Sequence, residues 1–300
     1  HALYMEWDVF KEAMDQIASF PITLLRFSAA GESILHPEIL DQVAYAKSKG
    51  IHPVNLTTNG LTLDRPALRL RKRVPGTTLL EGLLGEGIDI IDISVDAATR
   101  ERYEKIRVRS SYNRVWSNIH RLLYLREKMK APTKVMLSII DQPESHDEVQ
   151  KFVEYWTPLV DRVIVRGYLE NLGLTPAKAG TVVDQLGGIR RWPCPQFWKR
   201  ITINPEGGIR FCVVDWLDKS VLGNVKTHSI HALWKGVEYE RLRKAHLDGR
   251  YGEAHPICGP CTDWMGMRWE WGFEIAVAAV MGDASAPSVP PPMPLPAART

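Results

Sequence analysis

The stretches CPQFWKRITINPEGGIRFC, residues 194–212, and ICGPC, residues 257–261, decide how this chain is organised. Between them they hold all the cysteines of the sequence: Cys194, Cys212, Cys258 and Cys261. The first two are separated by 17 residues, 45 more precede the third, and only two separate the last pair. A two-residue loop lets two thiolates converge on one metal centre, while the longer gaps bring the other two from separate elements. We therefore expect a cysteine-rich α+β domain over residues 191–264.

The segment between the first two cysteines is typical of a β-hairpin. ITI at residues 201–203 and IRF at residues 209–211 alternate apolar and polar side chains, and NPEGG between them supplies glycines for a tight turn. Such a hairpin returns Cys212 close to the point where Cys194 enters. The Cys258 and Cys261 pair must then be brought up by the rest of the domain.

Four thiolates at one point form a soft, all-sulfur cage that suits an iron–sulfur cluster or structural zinc. Structural zinc held by four cysteines usually uses two CxxC-like loops, and only one is present here. The spacing therefore favours iron–sulfur over zinc. Buried free thiols that hold no metal are the third interpretation.

Strands alternate with helices through residues 1–167, which predicts an α/β domain with a parallel sheet, open or closed into a barrel. The apolar and β-branched runs predict strands at residues 22–29, 52–58, 88–96, 133–140 and 161–168. Helical spacing predicts helices at residues 5–20, 37–49, 66–85, 99–106, 114–130 and 146–156. A connector at 168–190 leads to the cysteine-rich domain, and residues 265–300 contain a Trp-rich segment and a Pro-rich tail that we expect to be disordered.

The composition sets limits on partners and location. A net charge of +3 over 300 residues, without a long Lys/Arg run, argues against a nucleic-acid partner. The apolar run IAVAAVMG near residue 280 is far shorter than the roughly 20 residues that span a bilayer, so we expect no membrane association. Cysteines in metal-like spacing suit a reducing compartment, which predicts a cytoplasmic protein.

The ends of the predicted strands carry the candidate ligand-binding residues, because α/β domains bind ligands at the carboxyl ends of their parallel strands. Gly31 and Glu32 follow the first strand, Asn59 follows the second, and Ser94 and Asp96 lie at the third. A glycine beside a carboxylate can approach a ligand ammonium, while Ser, Asn and Asp suit ribose hydroxyls and a carboxylate. Each is also explained by ordinary turn and capping chemistry.

The cysteine-rich stretch resembles a known domain. CPQFWKRITINPEGGIRFCVVD, then LGNV, SIHALWKG and PICGPC are similar to the SPASM/twitch domain of radical S-adenosylmethionine (SAM) enzymes. The short, twitch-like form of that domain binds one auxiliary 4Fe-4S cluster. The resemblance therefore implies that this cluster is held by Cys194, Cys212, Cys258 and Cys261. The fuller form needs further cysteines for a second cluster, and the chain has none.

Residues 5–167 resemble the radical SAM core, a partial βα barrel. AGESILHPE, residues 30–38, is similar to the GGEP-type motif that cradles the methionyl amino group of SAM, which implies that role for Gly31 and Glu32. Ala30 replaces the first glycine of the motif and Ser33 its proline.

The next two strand ends, TTNG and ISVDAATRERYEKIR, also resemble those of the core. The resemblance implies that Ser94 contacts the SAM ribose or carboxylate. It makes Asn59, Asp96 and Arg107 further SAM-binding candidates.

One departure from the family concerns its catalytic cluster, which is held by a CxxxCxxC loop after the first strand. This sequence has no cysteine before Cys194, and its first strand carries the motif that the family has on the second. We expect the missing strand and loop to precede His1. The barrel is then expected to lack its first strand, and this chain alone to be unable to cleave SAM.

The resemblance implies a reaction for the intact enzyme. The core cluster passes an electron, received from a flavodoxin or ferredoxin, to SAM, and the resulting 5′-deoxyadenosyl radical abstracts a substrate hydrogen. The auxiliary cluster then accepts an electron from the substrate or ligates the substrate. Single-cluster twitch domains occur in the dehydrogenation of cyclitols such as 2-deoxy-scyllo-inosamine, and the cysteine spacing is closest to these. The alternatives are a peptide- or protein-modifying maturase and a non-enzymatic four-cysteine metal module.

Substrate contacts are predicted near the last strand and beside the hairpin. The candidates are Arg166, Tyr168, Phe211 and Asp215. Three of them have a structural alternative: an ion pair for Arg166, a place in the hairpin core for Phe211, and a turn for Asp215.

Overall fold

A computed structural model describes residues 4–28, 31–178, 189–267, 269 and 273–282 of the chain. These residues form two compact units. The first, here called the sheet unit, comprises residues 22–28, 31–166 and 274–282. The second, called the cysteine unit, comprises residues 4–21, 167–178, 189–267, 269 and 273. The predicted disordered tail and Ala30 of the GGEP-type motif lie outside the described residues.

Strands and helices alternate along the sheet unit. Its strands are β1 (Leu25–Phe27), β2 (Val54–Thr58), β3 (Pro66–Arg69), β4 (Lys72–Thr78), β5 (Ile90–Ser94), β6 (Lys134–Asp141) and β7 (Arg162–Gly167). Its helices are α2 (Ile39–Ser48), α3 (Leu79–Gly85), α4 (Arg100–Ile106), α5 (Tyr112–Lys128) and α6 (Val149–Trp156), with 3₁₀ turns at Ser33–Leu35 and His146–Glu148. A further helix, Phe273–Val280, begins at the boundary between the units.

Five of these strands form one sheet in the order β1-β2-β5-β6-β7. The pairs β1–β2, β2–β5 and β5–β6 are all parallel. Since parallel neighbours need a crossover, helices connect them. The prediction of an α/β domain with a parallel sheet is confirmed.

The strand register separates a polar face of the sheet from an apolar one. Arg26 lies opposite Asn55 on the next strand, and Thr57 lies opposite Asp92. Because side chains alternate along a strand, the same face, here called the polar face, is shared by residues from four neighbouring strands: Arg26, Asn55, Thr57, Asp92, Ser94 and Ser138.

The other face of the sheet is apolar and buried. Leu56, Ile91, Ile93, Val135 and Leu137 on its central strands are all fully buried. Helices α2 and α6 pack against β2 and β6 respectively. Burial of this apolar face is the main driving force for folding of the sheet unit.

The helix predicted over residues 66–85 is wrong in its first part. β3 and β4 form an antiparallel hairpin, with Leu70 and Arg71 at positive φ in the turn. The helix begins only at α3, where Thr78 and Glu81 form a capping box. The apolar residues of this segment are spaced as in a helix. The segment is nevertheless divided into a hairpin and a helix, because its turn has two positive-φ residues and Thr78 caps the helix.

The cysteine unit is built from short elements. They are α1 (Trp7–Ile17), α7 (Gln196–Lys199), β8 (Thr202–Ile203), β9 (Gly208–Arg210), β10 (Val221–Asn224), α8 (Ile230–Lys235), α9 (Val237–Leu247), α10 (Tyr251–Ala254) and a 3₁₀ turn at Asp263–Gly266. The three strands form an antiparallel sheet in the order β10-β9-β8. The predicted hairpin between the first two cysteines is therefore confirmed, and Gly207 in its turn has a φ of 85°.

Helix α1 belongs to the cysteine unit, although the sequence analysis assigned residues 1–167 to the sheet domain. Gln16 donates a 2.9 Å hydrogen bond to the carbonyl of Val225 and accepts one of 2.8 Å from the N–H of Ile230. Lys226 pairs with Asp8 at 2.7 Å. These bonds join α1 to the connection between β10 and α8, a pairing across more than 200 residues that helical spacing alone could not reveal.

The core of the cysteine unit is a compact apolar cluster: Phe197, Phe211, Tyr239, Leu242, Ala245, Ala254 and Cys258. It is small, so the unit has limited hydrophobic stabilisation of its own. In the part of the chain that the structure describes, no helix combines the length and apolar character needed to traverse a bilayer.

Candidate functional site

The four cysteines line one cavity of the cysteine unit, with about 380 Å³ of space between atoms including its opening to solvent. Cys194 lies before α7, Cys212 follows β9, and Cys258 and Cys261 lie in the loop after α10. All four are free thiols. The wall between them is mainly apolar, with contributions from Leu172, Phe197, Phe211, Val214, Ile257 and Trp264.

The loop after Cys212 is held by buried polar groups. Arg210 at the end of β9 donates to the carbonyl of Asp215. The Asp215 carboxylate accepts the N–H of Ser220 at 2.6 Å and that of Leu217 at 3.3 Å. Asp215 is 1% exposed, so its carboxylate organises this turn from within.

The CxxC loop is held from two sides. Arg191 donates to the carbonyl of Gly259 at 3.2 Å, and its guanidinium lies 4.1 Å from the centre of the Tyr251 ring. Asp263, two residues beyond Cys261, accepts three backbone N–H groups at 2.7 to 3.0 Å. These N–H groups belong to Glu170, Asn171 and Leu172.

A histidine forms part of the cavity wall. His246 in α9 is 1% exposed, and its Nδ1 accepts the backbone N–H of Cys194 at 3.3 Å. Its ring lies 4.4 Å from that of Phe197 and 5.1 Å from that of Tyr251, measured between centroids. Burial lowers the pKa of His246 to about 4. The spacing of the cysteines gave no signal for this residue, because it reaches the cavity from a helix between the second and third cysteines.

In the sheet unit, the ends of β1 and β2 are joined by Glu32. Its Oε2 accepts the N–H of Asn59 at 2.7 Å, and its Oε1 accepts that of Ile34 at 3.4 Å. A Cβ added to Gly31 would meet no atom within 4 Å, so the backbone there is open to a close approach. The Asn59 side chain accepts the N–H of Leu61 at 2.9 Å, which is turn chemistry.

The end of β5 carries the other candidates. The hydroxyl of Ser94 lies 3.3 Å from that of Ser138 on the polar face. Asp96, with a φ of 70°, pairs with Arg107 and accepts the N–H of Ile140 at 3.0 Å. Asp96 and Arg107 therefore hold the loop that follows Ser94.

A charged group on the polar face was missed by the sequence analysis. Asp92 is fully buried, and its Oδ2 accepts from Arg166 at 2.6 Å, from Arg26 at 3.2 Å and from Thr57 at 3.3 Å. The sequence signal that could have identified Asp92 is its carboxylate within the apolar run IDIIDIS. Glu148 was missed too; its carboxylate accepts the N–H of Ala98 and fixes the loop after β5.

The predicted substrate residues occupy different environments. Arg166 joins the Asp92 group, and the exposed Tyr168 hydroxyl donates to the carbonyl of Pro176 at 2.9 Å. Phe211 is 2% exposed and stacks on Phe197 with ring centroids 5.0 Å apart. These packing contacts and the turn of Asp215 are the structural alternatives considered above, so the substrate roles stay predictions.

Comparison with known families gives two matches. The model of the SPASM iron–sulfur cluster-binding domain matches residues 194–262. The model of the radical SAM superfamily matches residues 2–155, just over half of the chain. The chain belongs to the radical SAM superfamily. Its second part is a SPASM domain.

Two curated relatives of this radical SAM protein each match less than half of it. GTP 3′,8-cyclase of Chlorobaculum tepidum is 32% identical over 139 residues, which are 46% of this chain and 37% of that enzyme. Molybdenum cofactor biosynthesis protein 1 of Drosophila melanogaster is 29% identical over 126 residues, 42% of this chain and 19% of that protein. The matched region thus spans about a third or less of either relative.

Two solved structures share the fold of this radical SAM protein. BtrN in complex with AdoMet and 2-DOIA has a TM-score of 0.54 and 16% identity, over 86% of this chain and 80% of BtrN. Streptococcus suis SuiB bound to the precursor peptide SuiA has a TM-score of 0.58 and 12% identity, over 77% of this chain and 58% of SuiB. At this identity the likeness shows the fold alone.

Membership of the radical SAM superfamily with a SPASM domain implies iron–sulfur and SAM as cofactors. The electrostatics of the cysteine cavity are consistent with a metal centre. Burial is the main cause that raises the pKa of Cys194 to about 11 and that of Cys258 to about 12, and it raises the pKa of Cys212 and Cys261 too. The thiols are therefore protonated at neutral pH until a cationic centre stabilises the thiolates.

The matched SPASM domain is an iron–sulfur cluster-binding domain, which favours a cluster over a single ion. An iron–sulfur cluster spreads its cysteine ligands over several iron atoms, and four thiols around one cavity are the donor set it needs.

Proposed function

We propose that this chain is the SAM-binding and auxiliary-cluster part of a radical SAM oxidoreductase that acts on a small, polar substrate. The observation that carries the proposal is the convergence of four thiols, 67 residues apart at the extremes (261 − 194), on one cavity. In this proposal Cys194, Cys212, Cys258 and Cys261 ligate one 4Fe-4S cluster. Four thiolates complete the ligand set of a cubane, so no coordination position remains open for a substrate.

SAM binding is assigned to the strand ends of the sheet unit. The carboxylate of Glu32 lies at the ends of β1 and β2, beside the open backbone of Gly31. A carboxylate in this position suits the methionyl ammonium group of SAM. Ser94 offers a hydroxyl to the ribose or the carboxylate. The other three candidates already bond within the loops at the strand ends: Asn59, Asp96 and Arg107. In this proposal they hold those loops in place and do not contact SAM directly.

When bound, SAM supplies a 5′-deoxyadenosyl radical after one-electron reduction, and the auxiliary cluster supplies an electron acceptor. The residues of this chain bind SAM, exclude water from the cluster and orient the substrate. The catalytic CxxxCxxC motif of the family is not in the sequence His1–Thr300. The radical step is therefore proposed for a form of the protein that carries this motif, with a flavodoxin or ferredoxin as the electron donor.

The polar face and the cysteine spacing support the proposed substrate class. Arg26 and Arg166 both pair with the carboxylate of Asp92, so the group offers several hydrogen-bond donors. Such a surface suits a hydroxylated substrate of the sugar or cyclitol type. The complex of BtrN with 2-DOIA and the name of GTP 3′,8-cyclase associate the fold with small molecules. We favour oxidation of such a molecule over peptide modification, for which the SuiB complex with its precursor peptide is the counterpart.

The experiment is a binding assay on the anaerobically reconstituted chain. Calorimetric titration is carried out with SAM alone and with SAM plus either an aminocyclitol or an unrelated peptide. It measures the affinity of the chain for SAM and for each class of substrate. We expect SAM to bind to the reconstituted chain and the aminocyclitol to bind more tightly when SAM is present. A chain that holds iron but has no affinity for SAM would contradict the proposal. Cooperative binding of the peptide, without binding of the aminocyclitol, would support a maturase instead.

A further inference from the structure

His246 places a buried nitrogen in the cavity that the four cysteines line. It lies in the last turn of α9, and the rings of Phe197 and Tyr251 pack against its imidazole. With 1% exposure and two ring contacts, the imidazole has little freedom to turn. The direction of each ring nitrogen is therefore set by the fold.

The hydrogen bonding of the ring determines where its proton lies. Nδ1 accepts the backbone N–H of Cys194, so it carries no proton. A neutral imidazole has one N–H, and it must be on Nε2. Nε2 is thus a donor.

This donor has no hydrogen-bond partner among the described residues. The carbonyl oxygen of the Gln196 side chain also lines the cavity and also has none, so the two do not bond to each other. Leaving a buried donor unsatisfied is destabilising, and such groups in native proteins usually have an unobserved partner. The same cavity is lined by the sulfur atoms of the four cysteines, which are hydrogen-bond acceptors.

We propose that His246 donates its Nε2–H to a sulfur of the cluster held by the four cysteines, and that this bond raises the reduction potential of the cluster. The proposal rests on the proposed function, which assigns the cluster to these cysteines. Reduction adds negative charge that is shared by the sulfurs. A hydrogen bond to sulfur stabilises the reduced state more than the oxidised state. His246 is then a tuning residue and takes no part in bond breaking.

Arg191 supports the same direction. Its Nε is buried and has no hydrogen-bond partner among the described residues. Its cationic side chain lines the same cavity as the four cysteines. A cationic group and a neutral donor around one sulfur-rich centre both favour the more negative redox state.

The test is a potentiometric titration of the reconstituted full chain, followed by electron paramagnetic resonance, with iron content measured for each variant. His246→Phe keeps an aromatic ring and removes the donor, whereas His246→Gln places an amide nitrogen near the position of Nε2. His255→Phe is the matched control, since the His255 ring lies 5.1 Å from that of Phe211 but is not part of the cavity wall.

We expect His246→Phe to retain iron and to shift the midpoint potential to more negative values. His246→Gln and His255→Phe should stay close to the unaltered chain. An unchanged potential in an iron-replete His246→Phe chain would overturn the proposal. An unaltered chain that binds no iron would instead overturn the proposed function, and this inference with it.

A second measurement needs no variant. The reduced cluster of the unaltered chain, labelled with ¹⁵N in its histidine rings, should show a ring-nitrogen coupling and an exchangeable proton in pulsed spectra. Their absence from an iron-replete sample would overturn the proposal.

Discussion

Asp92 holds two arginines on the polar face of the sheet, and all three come from different strands. The side chain of Asp92 is fully buried, whereas those of Arg26 and Arg166 are 18% and 29% exposed. The same group must also contribute to stability, because a buried charge without its partner is costly.

Asp92→Asn tests this group. The change keeps the size of the side chain but removes the buried negative charge with which Arg26 and Arg166 pair, so we expect the free energy of unfolding to fall by about 3 kcal/mol. Urea denaturation measures it. Asp15→Asn, which breaks the exposed pair with Lys11, is the control and should cost less than about 1 kcal/mol. Equal effects of the two variants would show that the Asp92 group is not a buried network.

Glu32→Gln tests the proposed SAM contact. The amide can still accept the N–H of Asn59 but lacks the charge that an ammonium requires, so we expect SAM affinity to fall at least tenfold. This corresponds to about 1.5–3 kcal/mol for a charge-assisted hydrogen bond. Calorimetry measures the affinity, with Glu154→Gln on α6 as the control. Unchanged affinity in a folded Glu32→Gln chain would remove Glu32 from the SAM site.

The sequence indicated some of these residues and not others, for a physical reason. Glu32 and the cysteines belong to local motifs, which are visible in a single stretch. Asp92 and His246 acquire their partners from strands and helices distant in the chain. Arg26 and Arg166 come 66 and 74 residues from Asp92, so the strand register had to be known first.

Strands and helices were more predictable than side-chain partners. Apolar runs separated by turn residues marked the five strands of the main sheet, whose central strands β2, β5 and β6 are largely buried. The hairpin at residues 66–78 was not predicted, because its turn has Leu70 and Arg71 at positive φ and no glycine to mark it. Helix α1 was predicted as a helix, but its assignment to the cysteine unit depends on Gln16, whose partners lie over 200 residues away.

The turn after β2 offers a test of how tightly the elements pack. Gly60 and Gly50 both have a φ of 74°, but an added Cβ would lie 2.9 Å from Ile93 Cγ2 at Gly60 and meet nothing within 4 Å at Gly50. Gly50→Ala should cost about 1 kcal/mol from backbone strain alone. Gly60→Ala adds a core clash and should cost about 2–4 kcal/mol.

Urea denaturation of both glycine variants measures the difference. Because the backbone strain is matched, the excess for Gly60→Ala isolates the packing of the β2 turn on β5. If the two variants were equally stable, Ile93 would have to move aside freely, which would contradict the packed apolar face.

The two units of the chain are expected to differ in their dependence on metal. The core of the sheet unit is extensive, whereas the cysteine unit has a small apolar cluster and, in the proposed function, a metal centre held by its thiols. Metal binding to a site formed only on folding stabilises the folded state. Removal of the cluster with a chelator should therefore expose residues 189–267 to proteolysis and leave residues 31–166 protected.

Limited proteolysis with mass spectrometry distinguishes these regions. The reconstituted chain is compared with the chelated one at equal protease concentration. New cleavage confined to residues 189–267 is the expected result. Equal protection before and after chelation would mean that the thiols contribute nothing to the stability of the cysteine unit.

The most direct measurement is the content of iron, sulfide and zinc per chain after anaerobic reconstitution, repeated on Cys258→Ala. Four thiols around one cavity predict about four irons and four sulfides per chain, with most of both lost in the variant. One zinc with no iron would mean a structural zinc domain. Iron retained in full by Cys258→Ala would contradict the assignment of the cluster to these cysteines.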